Sequence, residues 1–370
     1  VKTILHAIDT YGPGGAETVC VELASGLDRA RFRSCGAVVR EGWVFDTMAA
    51  RGLDPALVRP GRGPVDLLYL ARLVALARRR RADLIQSHLL TANLYGALAA
   101  ALLRRPAIAT FHGTGDVAAD DARAAAKLRL IAACSFRMVF VSETLRGHYL
   151  ARHEVDRDRT AVVPNGIDAA TFAPAPHRRL RAELGVPDDA LLVGLLGNIR
   201  EAKAYDELLR VADAVRDAEP RIHFAVAGKE RRGIYEDLIA LRQRLRLEDR
   251  VTFLGYRTDA ADLLNGLDLL LSTSTTEGMP LGTLQAMACG LPVVSTRSGG
   301  PQEVIDDGRD GLLVPVGDTA AIAAAVLRLA RDGAARRTLG DRARRTVLER
   351  FTLQTMVAAY SALYDEALAP

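Results

Sequence analysis

Two α/β domains, each built on a parallel sheet with helical crossovers, are the fold class this sequence predicts. Three observations predict it. The chain has 370 residues, a length that suggests two separate cores. Short β-rich runs alternate with longer helical patterns from end to end, as parallel sheets require. Midway, the Pro-rich stretch Phe172-Ala-Pro-Ala-Pro-His177 reads as an interdomain linker.

In the first half, strands are predicted at residues 3–8, 35–39, 84–87, 108–111, 138–141 and 161–163. Helices fill the gaps, most clearly at 16–27, 65–80 and 118–133. A second series of strands starts at 191–196 and continues through 222–227, 251–254, 267–271, 292–295 and 311–314. An amphipathic helix follows Phe351. The expected organisation is two Rossmann-like domains, 1–172 and 173–352, with a cleft between them.

Composition is that of an ordinary globular chain, 49% hydrophobic and 25% charged. The longest nearly unbroken apolar run, 94–103, is far too short to cross a bilayer. No basic-then-apolar leader opens the sequence, so no signal peptide is expected and the protein is read as cytoplasmic. Cys20, Cys35, Cys134 and Cys289 are scattered without paired spacing, which suits structural thiols in a reducing cytosol better than metal ligands or disulfides.

The net charge of +4 is unevenly spread. Residues 1–170 carry 23 Lys and Arg against 17 Asp and Glu, the remainder 26 against 28. A basic first half could meet an anionic acceptor or the inner face of a membrane as a peripheral contact. Arg78-Arg-Arg-Arg81 and Arg104-Arg105 sharpen that idea, yet each ends a helix-like stretch, where the dipole favours cations anyway. Nucleic-acid binding is not expected, because no basic stripe carries interleaved aromatics.

Loops at the carboxyl ends of parallel strands form the binding crevice of such folds, and four of them carry chemistry. Gly12-Pro13-Gly14-Gly15 precedes a helix start, where close backbone approach and unpaired N–H groups suit an anion. His112, in Thr110-Phe-His-Gly113, ends an apolar strand; structural and functional roles are both open to it. Gly197-Asn-Ile-Arg-Glu-Ala-Lys203 sets Arg200 and Lys203 at another strand end. Cations oppose the dipole of a helix start, so their presence there argues for an anionic ligand such as a departing diphosphate. Lys203 is one of only four lysines, in a chain that otherwise uses arginine.

The fourth loop is the most informative. Within Ser272 to Val294, Glu277 stands ahead of a glycine and a helix start. The helix start suits phosphate, whereas Glu277 can only accept hydrogen bonds, as from sugar hydroxyls. Gln285, eight residues on, is expected about two helical turns away on nearly the same face. An anion site beside a polyol site describes a sugar nucleotide.

Taken in order, these loops resemble retaining glycosyltransferases of family 4, also called glycosyl transferases group 1. The matches are Gly-Gly-Ala-Glu at 14–17, His-Gly at 112–113, Pro-Asn-Gly-Ile-Asp at 164–168, Gly-Asn-Ile-Arg…Lys at 197–203, Glu-Gly-Met-Pro-Leu at 277–281 and Ala-Met-Ala-Cys-Gly-Leu-Pro at 286–292. The resemblance spans essentially the whole chain and is most specific in the second half. It implies the GT-B fold, with the last helix, 353–370, crossing back to the N-terminal domain. The C-terminal domain would bind a nucleoside-diphosphate sugar, UDP favoured over GDP. The N-terminal domain would bind the acceptor: a lipid-linked saccharide, a polysaccharide precursor or a small metabolite.

The resemblance also implies residue roles. Arg200 and Lys203 would hold the diphosphate, and Glu277 would contact hydroxyls of the transferred sugar. Gly278 would help bind the donor, and the backbone of Met279, Pro280, Leu281 and Gly282 would meet the phosphates. His112 would lie near the reacting sugar, Gly14 and Gly15 over the diphosphate, and Tyr256 and Arg257 near the base. Retention would follow from same-face attack without a covalent enzyme intermediate, and no metal or other cofactor is expected.

Two departures stand out. Gln285 occupies the place of a second family Glu, with a cost of roughly 1–2 kcal/mol in donor binding from the lost charge-assisted bonds. Asn198 stands where many relatives carry a phosphate Arg, a role assigned to Arg200. Asp156-Arg-Asp158 has the Asp-x-Asp spacing of metal-dependent glycosyltransferases, but in a charged loop that reads as surface. Two other readings share these residues: a nucleotide-sugar epimerase or hydrolase of the same fold, and a catalytically silent sugar-nucleotide binder, which Gln285 keeps open.

Overall fold

The computed structural model describes residues 1–61, 65–114, 122–153, 155–176 and 179–369. The chain forms two compact units, one of Val1–Gly166 with Leu353–Pro370 and one of Ile167–Thr352.

In the first unit, the described strands are β1 (Lys2–Ile8), β2 (Phe32–Val38), β3 (Pro55–Leu57), β4 (Leu84–His88), β5 (Ala107–Phe111), β6 (Arg137–Phe140) and β7 (Thr160–Val162). They make one parallel sheet in the order β3-β2-β1-β4-β5-β6-β7. The central strands β4 and β5 are buried along their whole length, which is why they read as continuous runs rather than alternations. Strand β3 was not expected: three half-buried residues led by a proline carry no period-2 signal, and only the sheet edge tolerates them.

The second unit carries β8 (Leu191–Leu196), β9 (Ile222–Ala227), β10 (Val251–Gly255), β11 (Leu269–Ser272), β12 (Val293–Thr296) and β13 (Leu312–Val314). Their order is β10-β9-β8-β11-β12-β13, again parallel. Each sheet reverses its winding once, at β1/β4 in the first unit and at β8/β11 in the second. In open parallel sheets of this kind, such a reversal leaves a ligand crevice at the carboxyl ends of those strand pairs.

Helices depart little from expectation: Gly15–Gly26, Leu67–Arg80 and Ala122–Cys134 stand for the three clearest predictions. Residues 118–121 of the third, and His177 of the Pro-rich stretch, lie outside the described residues. That stretch is no free linker. The changeover falls earlier, at Gly166–Ile167, and Phe172 to Ala175 are held within the second unit. Arg344 donates to Phe172 O at 3.2 Å, Asn265 Nδ2 to Ala173 O at 3.0 Å, and Ala175 N to Asn265 Oδ1 at 2.9 Å. Prolines stiffen this segment against the domain instead of spacing it away.

The C-terminal helix Leu353–Ala367 belongs to the first unit, as the resemblance implied. Tyr360 and Tyr364, one turn apart and fully buried, present the same face to the sheet. Tyr364 meets the Phe32 ring edge-on at 5.7 Å, and Asp365 and Glu366 pair with Arg31 and Arg137 at 2.6 Å each. The two aromatics carry more of this docking than the exposed ion pairs, each worth about 1 kcal/mol or less.

The arginine runs end helices, as the dipole favours. Arg81 and Arg104 are left-handed caps with φ of 54° and 53°. Three of the cysteines are buried, and burial pushes the Cys35 and Cys289 thiols up to about 11, which makes them inert. Among the described residues no helix is long and apolar enough to cross a membrane.

Candidate active site

At the second unit's switch point, the loop leaving β8 and the loop leaving β11 are stitched together. Gly197, with φ of 154°, takes a conformation that side chains rarely adopt and so turns the chain out of β8. The Tyr205 hydroxyl donates to its carbonyl. A short 3-10 turn, Glu201–Lys203, follows. Thr273 Oγ1 lies 2.9 Å from Lys203 O and 3.0 Å from Ala204 O, and Thr275 N donates to Ala202 O at 2.8 Å. This clamp fixes the turn that carries Lys203 against the loop that carries Glu277.

The two side chains then meet. Lys203 Nζ is 2.5 Å from Glu277 Oε1, and Ser274 Oγ donates to the same oxygen at 2.6 Å. The backbone of Glu277 is held on its other side: its N–H donates to Ser298 O at 2.8 Å and its carbonyl accepts from Gly300 N at 3.0 Å. Burial together with the Glu277 charge pushes the Tyr205 phenol up, so it stays a neutral donor.

The helix Leu281–Ala288 begins four residues later, with Pro280 at its N-cap. Its first intrahelical acceptor is Pro280 O, bonded by Leu284 N, so the amides of Leu281, Gly282 and Thr283 have no acceptor inside the helix. A Cβ on Gly282 would come 3.1 Å from Leu196 O, so glycine lets the helix start approach the end of β8. Because the helix starts only at Leu281, Glu277 and Gln285 do not share a helical face. Glu277 is a loop residue and Gln285, half-buried, is in the helix's second turn.

Other expected residues divide. Arg200 is exposed at the N-cap of the Glu201–Lys203 turn, and Asn198 Oδ1 accepts from Lys229 N at 3.3 Å. Arg257 is committed elsewhere: its guanidinium donates to Asp259 at 2.6 and 2.8 Å and also to Glu183, and these two carboxylates raise its pKa. It acts as a structural clamp, which leaves Tyr256, 45% exposed, as the residue of that pair that faces solvent. Asp156 caps the turn ahead of β7, accepting from Asp158 N at 2.9 Å. That is the amino end of the strand, opposite to the crevice.

In the first unit, Gly14 is the N-cap of Gly15–Gly26, and its carbonyl accepts from Thr18 N and Oγ1 at 2.9 and 2.8 Å. A Cβ on Gly14 would fall 2.3 Å from the Glu17 carboxylate, so a larger residue there would require that side-chain tip to move. Past β4, Leu89 has φ of 72°, a strained value for a branched residue, of the kind that gathers at functional sites. Asp9, at the end of β1, accepts from Ala92 N at 3.3 Å, and burial raises its pKa.

His112 follows β5 directly. Its Nε2 is 2.9 Å from Nδ1 of His88, the last residue of β4, and the rings stack at 5.2 Å. Burial lowers both pKa values, His112 to about 3. The open part of the His112 surface moderates that direction without reversing it. Tyr149 OH donates to Gly113 O at 3.2 Å and steadies the loop beyond.

Ser274, Ser298, Gly228, Gly300 and His88 were not singled out from sequence. A Cβ at Gly228 would lie 1.8 Å from Gly197 O, and one at Gly300 would lie 2.1 Å from Gly278 O, so both glycines permit backbone crossings at the site. The strand-end positions of these residues were visible; which loops touch was not.

Comparison with known proteins agrees in both halves. Residues 190–332 match the family model "Glycosyl transferases group 1", and residues 13–171 match "Glycosyltransferase Family 4". The N-acetyl-alpha-D-glucosaminyl L-malate synthase of Bacillus anthracis is 30% identical over 312 residues, covering 82% of this chain and 80% of that protein. A D-inositol 3-phosphate glycosyltransferase of Salinispora arenicola is 31% identical over 312 residues, covering 78% and 69%. In fold, the chain is similar to Anabaena Alr3699/HepE in complex with UDP-glucose, with TM-score 0.89, 24% identity and coverage of 98% and 99%.

Proposed function

Because this chain belongs to the group 1, family 4 glycosyltransferases, we propose that it moves a sugar from UDP to a hydroxyl of a small anionic metabolite, with retention of configuration. The observation that carries this reading is the Lys203–Glu277 pair, 2.5 Å apart across the second unit's switch point and four residues ahead of a helix start.

The chemistry follows from the groups present. The leaving diphosphate gains negative charge as the glycosidic bond breaks. Lys203 and Arg200 supply positive charge, and the Leu281–Thr283 amides supply preorganised donors. These groups provide charge neutralisation without a metal, so metal independence is part of the proposal. Glu277, with one oxygen engaged by Lys203 and Ser274, keeps acceptor capacity for sugar hydroxyls. Retention is assigned to attack on the face the diphosphate leaves, with a departing phosphate oxygen taking the acceptor proton.

The acceptor class rests on two supports. The relatives are named for L-malate and inositol 3-phosphate, both small, hydroxylated and anionic. The first half of this chain, through residue 170, is the basic half. Lipid-linked or polymeric saccharides remain the second choice.

A thermal-shift series with UDP, GDP, ADP and dTDP and their sugar conjugates tests the donor. A ligand at about 100 times its Kd adds roughly 2.7 kcal/mol to the folded state. Mass spectrometry with hydroxy acids and polyol phosphates then tests the acceptor. Stabilisation by a UDP-sugar with transfer to such an acceptor supports the proposal. Sugar release or epimerisation without transfer would replace it by the hydrolase or epimerase reading, and binding without turnover on any acceptor by the silent binder.

A further inference from the structure

The register of the first sheet lines up a polar stripe. His6 pairs with Gln86, and His88 with Thr110. With side chains alternating along each strand, His6, Gln86, His88, Thr110 and, two residues on, His112 share one face. The C-terminal helix closes that face: Tyr364 OH donates to Gln86 Oε1 at 3.1 Å, and Tyr360 OH is 3.1 Å from Thr110 Oγ1.

This arrangement determines where protons reside. Gln86 Nε2 is 3.2 Å from Ser87 O and 2.9 Å from Thr110 Oγ1. A backbone carbonyl only accepts, so the Gln86 atom facing it is the amide nitrogen, and the amide orientation is fixed. That nitrogen shares its two protons among three neighbours, the third being His88 Nε2 at 3.4 Å, and it can accept a proton from none of them. A proton on His88 Nε2 would face a group that cannot accept it, so the geometry points to Nε2 as the proton-free nitrogen. Neutral His88 carries its proton on Nδ1, along the 2.9 Å line to His112 Nε2. His112 Nε2 accepts, which puts the His112 proton on Nδ1, the minor form of a free histidine.

We propose that His88, oriented by Gln86 and Tyr364, is a positioning residue that fixes His112 as the Nδ1–H tautomer, so that His112 meets its substrate as a neutral hydrogen-bond donor and not as a base. The substrate role of His112 rests on the function proposed above; the tautomer does not. The downward push that burial exerts on both rings is consistent with two neutral imidazoles sharing one proton between Nδ1 and Nε2.

Long-range proton–nitrogen correlation spectra of the full chain, labelled with nitrogen-15 histidine at neutral pH, read the tautomer directly, with His112→Gln assigning the signals. The expected result is a proton-free Nε2 and a protonated Nδ1 in His112. His88→Phe should release the tautomer and lower kcat by roughly 10-fold or more, as when an orienting partner is lost, with the donor KM nearly unchanged. His88→Asn, whose amide nitrogen can donate where Nδ1 did, should keep the tautomer and most of the rate. An Nε2-protonated His112 in the unaltered protein overturns the proposal, whether or not His88→Phe folds. So does a folded His88→Phe with unchanged tautomer and rate. If no sugar is transferred but the tautomer is as stated, the functional reading fails and the positioning of His112 stands.

Discussion

Glu277 Oε1 receives two hydrogen bonds at once, from Lys203 Nζ at 2.5 Å and Ser274 Oγ at 2.6 Å, with the Glu277 side chain only 12% exposed. The carboxylate is thereby held in place before any ligand arrives, which is the preorganisation that electrostatic catalysis needs. Lys203→Ala and Glu277→Gln should each lower kcat by about 100-fold or more. Leaving either partner alone in this half-buried site should also cost about 1–3 kcal/mol of stability. Steady-state kinetics and melting of the two variants check both effects. Near-normal turnover in both would remove the pair from the catalytic machinery.

Gln285 offers a gain-of-function test. It sits in the second turn of Leu281–Ala288, where the family pattern has a second carboxylate. Under the proposed function, Gln285→Glu supplies a charged acceptor to the ribose hydroxyls of the donor. Donor binding should tighten by about 1–2 kcal/mol, or roughly 5- to 30-fold in Kd. Calorimetric titration with UDP and the preferred UDP-sugar reads this directly. An unchanged Kd would show that residue 285 does not touch the ribose here.

The strands that position the site were legible because runs such as Leu191–Leu196 and Ile222–Ala227 are apolar, β-prone and bounded by breakers. Glu277, Lys203 and His112 were legible for a second reason: charged and titratable residues stand out where an apolar strand ends. What stayed hidden depends on contacts between distant segments. His88 reads as a strand tail until β4 and β5 are placed side by side, 24 residues apart in sequence. The helix after β11 starts later than its sequence suggested, because Pro280 takes the N-cap and the preceding loop bridges to Gly299. Arg257 looked available for a base because neither Glu183 nor Asp259 could be seen to reach it.

Gly228 shows how such a contact becomes testable. Its added Cβ would lie 1.8 Å from Gly197 O, a backbone atom that cannot swing aside as a side-chain tip can. Gly228→Ala must therefore push the β9 end away from the loop carrying Arg200 and Lys203. A loss of about 1–3 kcal/mol or more is expected, with a fall in donor affinity. Gly308→Ala, where nothing lies within 4 Å, controls for glycine removal itself, its φ of 77° adding some local strain. Equal melting points and donor affinities for the two variants would show that the crossing relaxes freely.

The buried histidines of the first unit make its stability depend on pH, and the sign is fixed. Burial lowers His6 and His112 to about 3 and His88 well below its ordinary value, each beneath the 6.5 of an unfolded chain. Above about pH 6.5 neither state binds protons at these rings, and they contribute no slope. Below it the unfolded chain takes up protons that the native unit refuses, so stability falls as the pH falls. Each histidine contributes up to about 1.4 kcal/mol per pH unit until its folded pKa is reached. Trp43, the chain's only tryptophan, lies in this unit, so denaturant titrations followed by its fluorescence from about pH 7.5 to about pH 5 read the effect. His6 has no hydrogen-bond partner at either ring nitrogen among the described residues. His6→Leu should therefore remove one share of the slope and raise stability at neutral pH, since an apolar residue relieves the buried unpaired nitrogens. A flat pH profile in the unaltered protein would mean that these imidazoles titrate as freely folded as unfolded, and the neutral His88–His112 pair would fail with it.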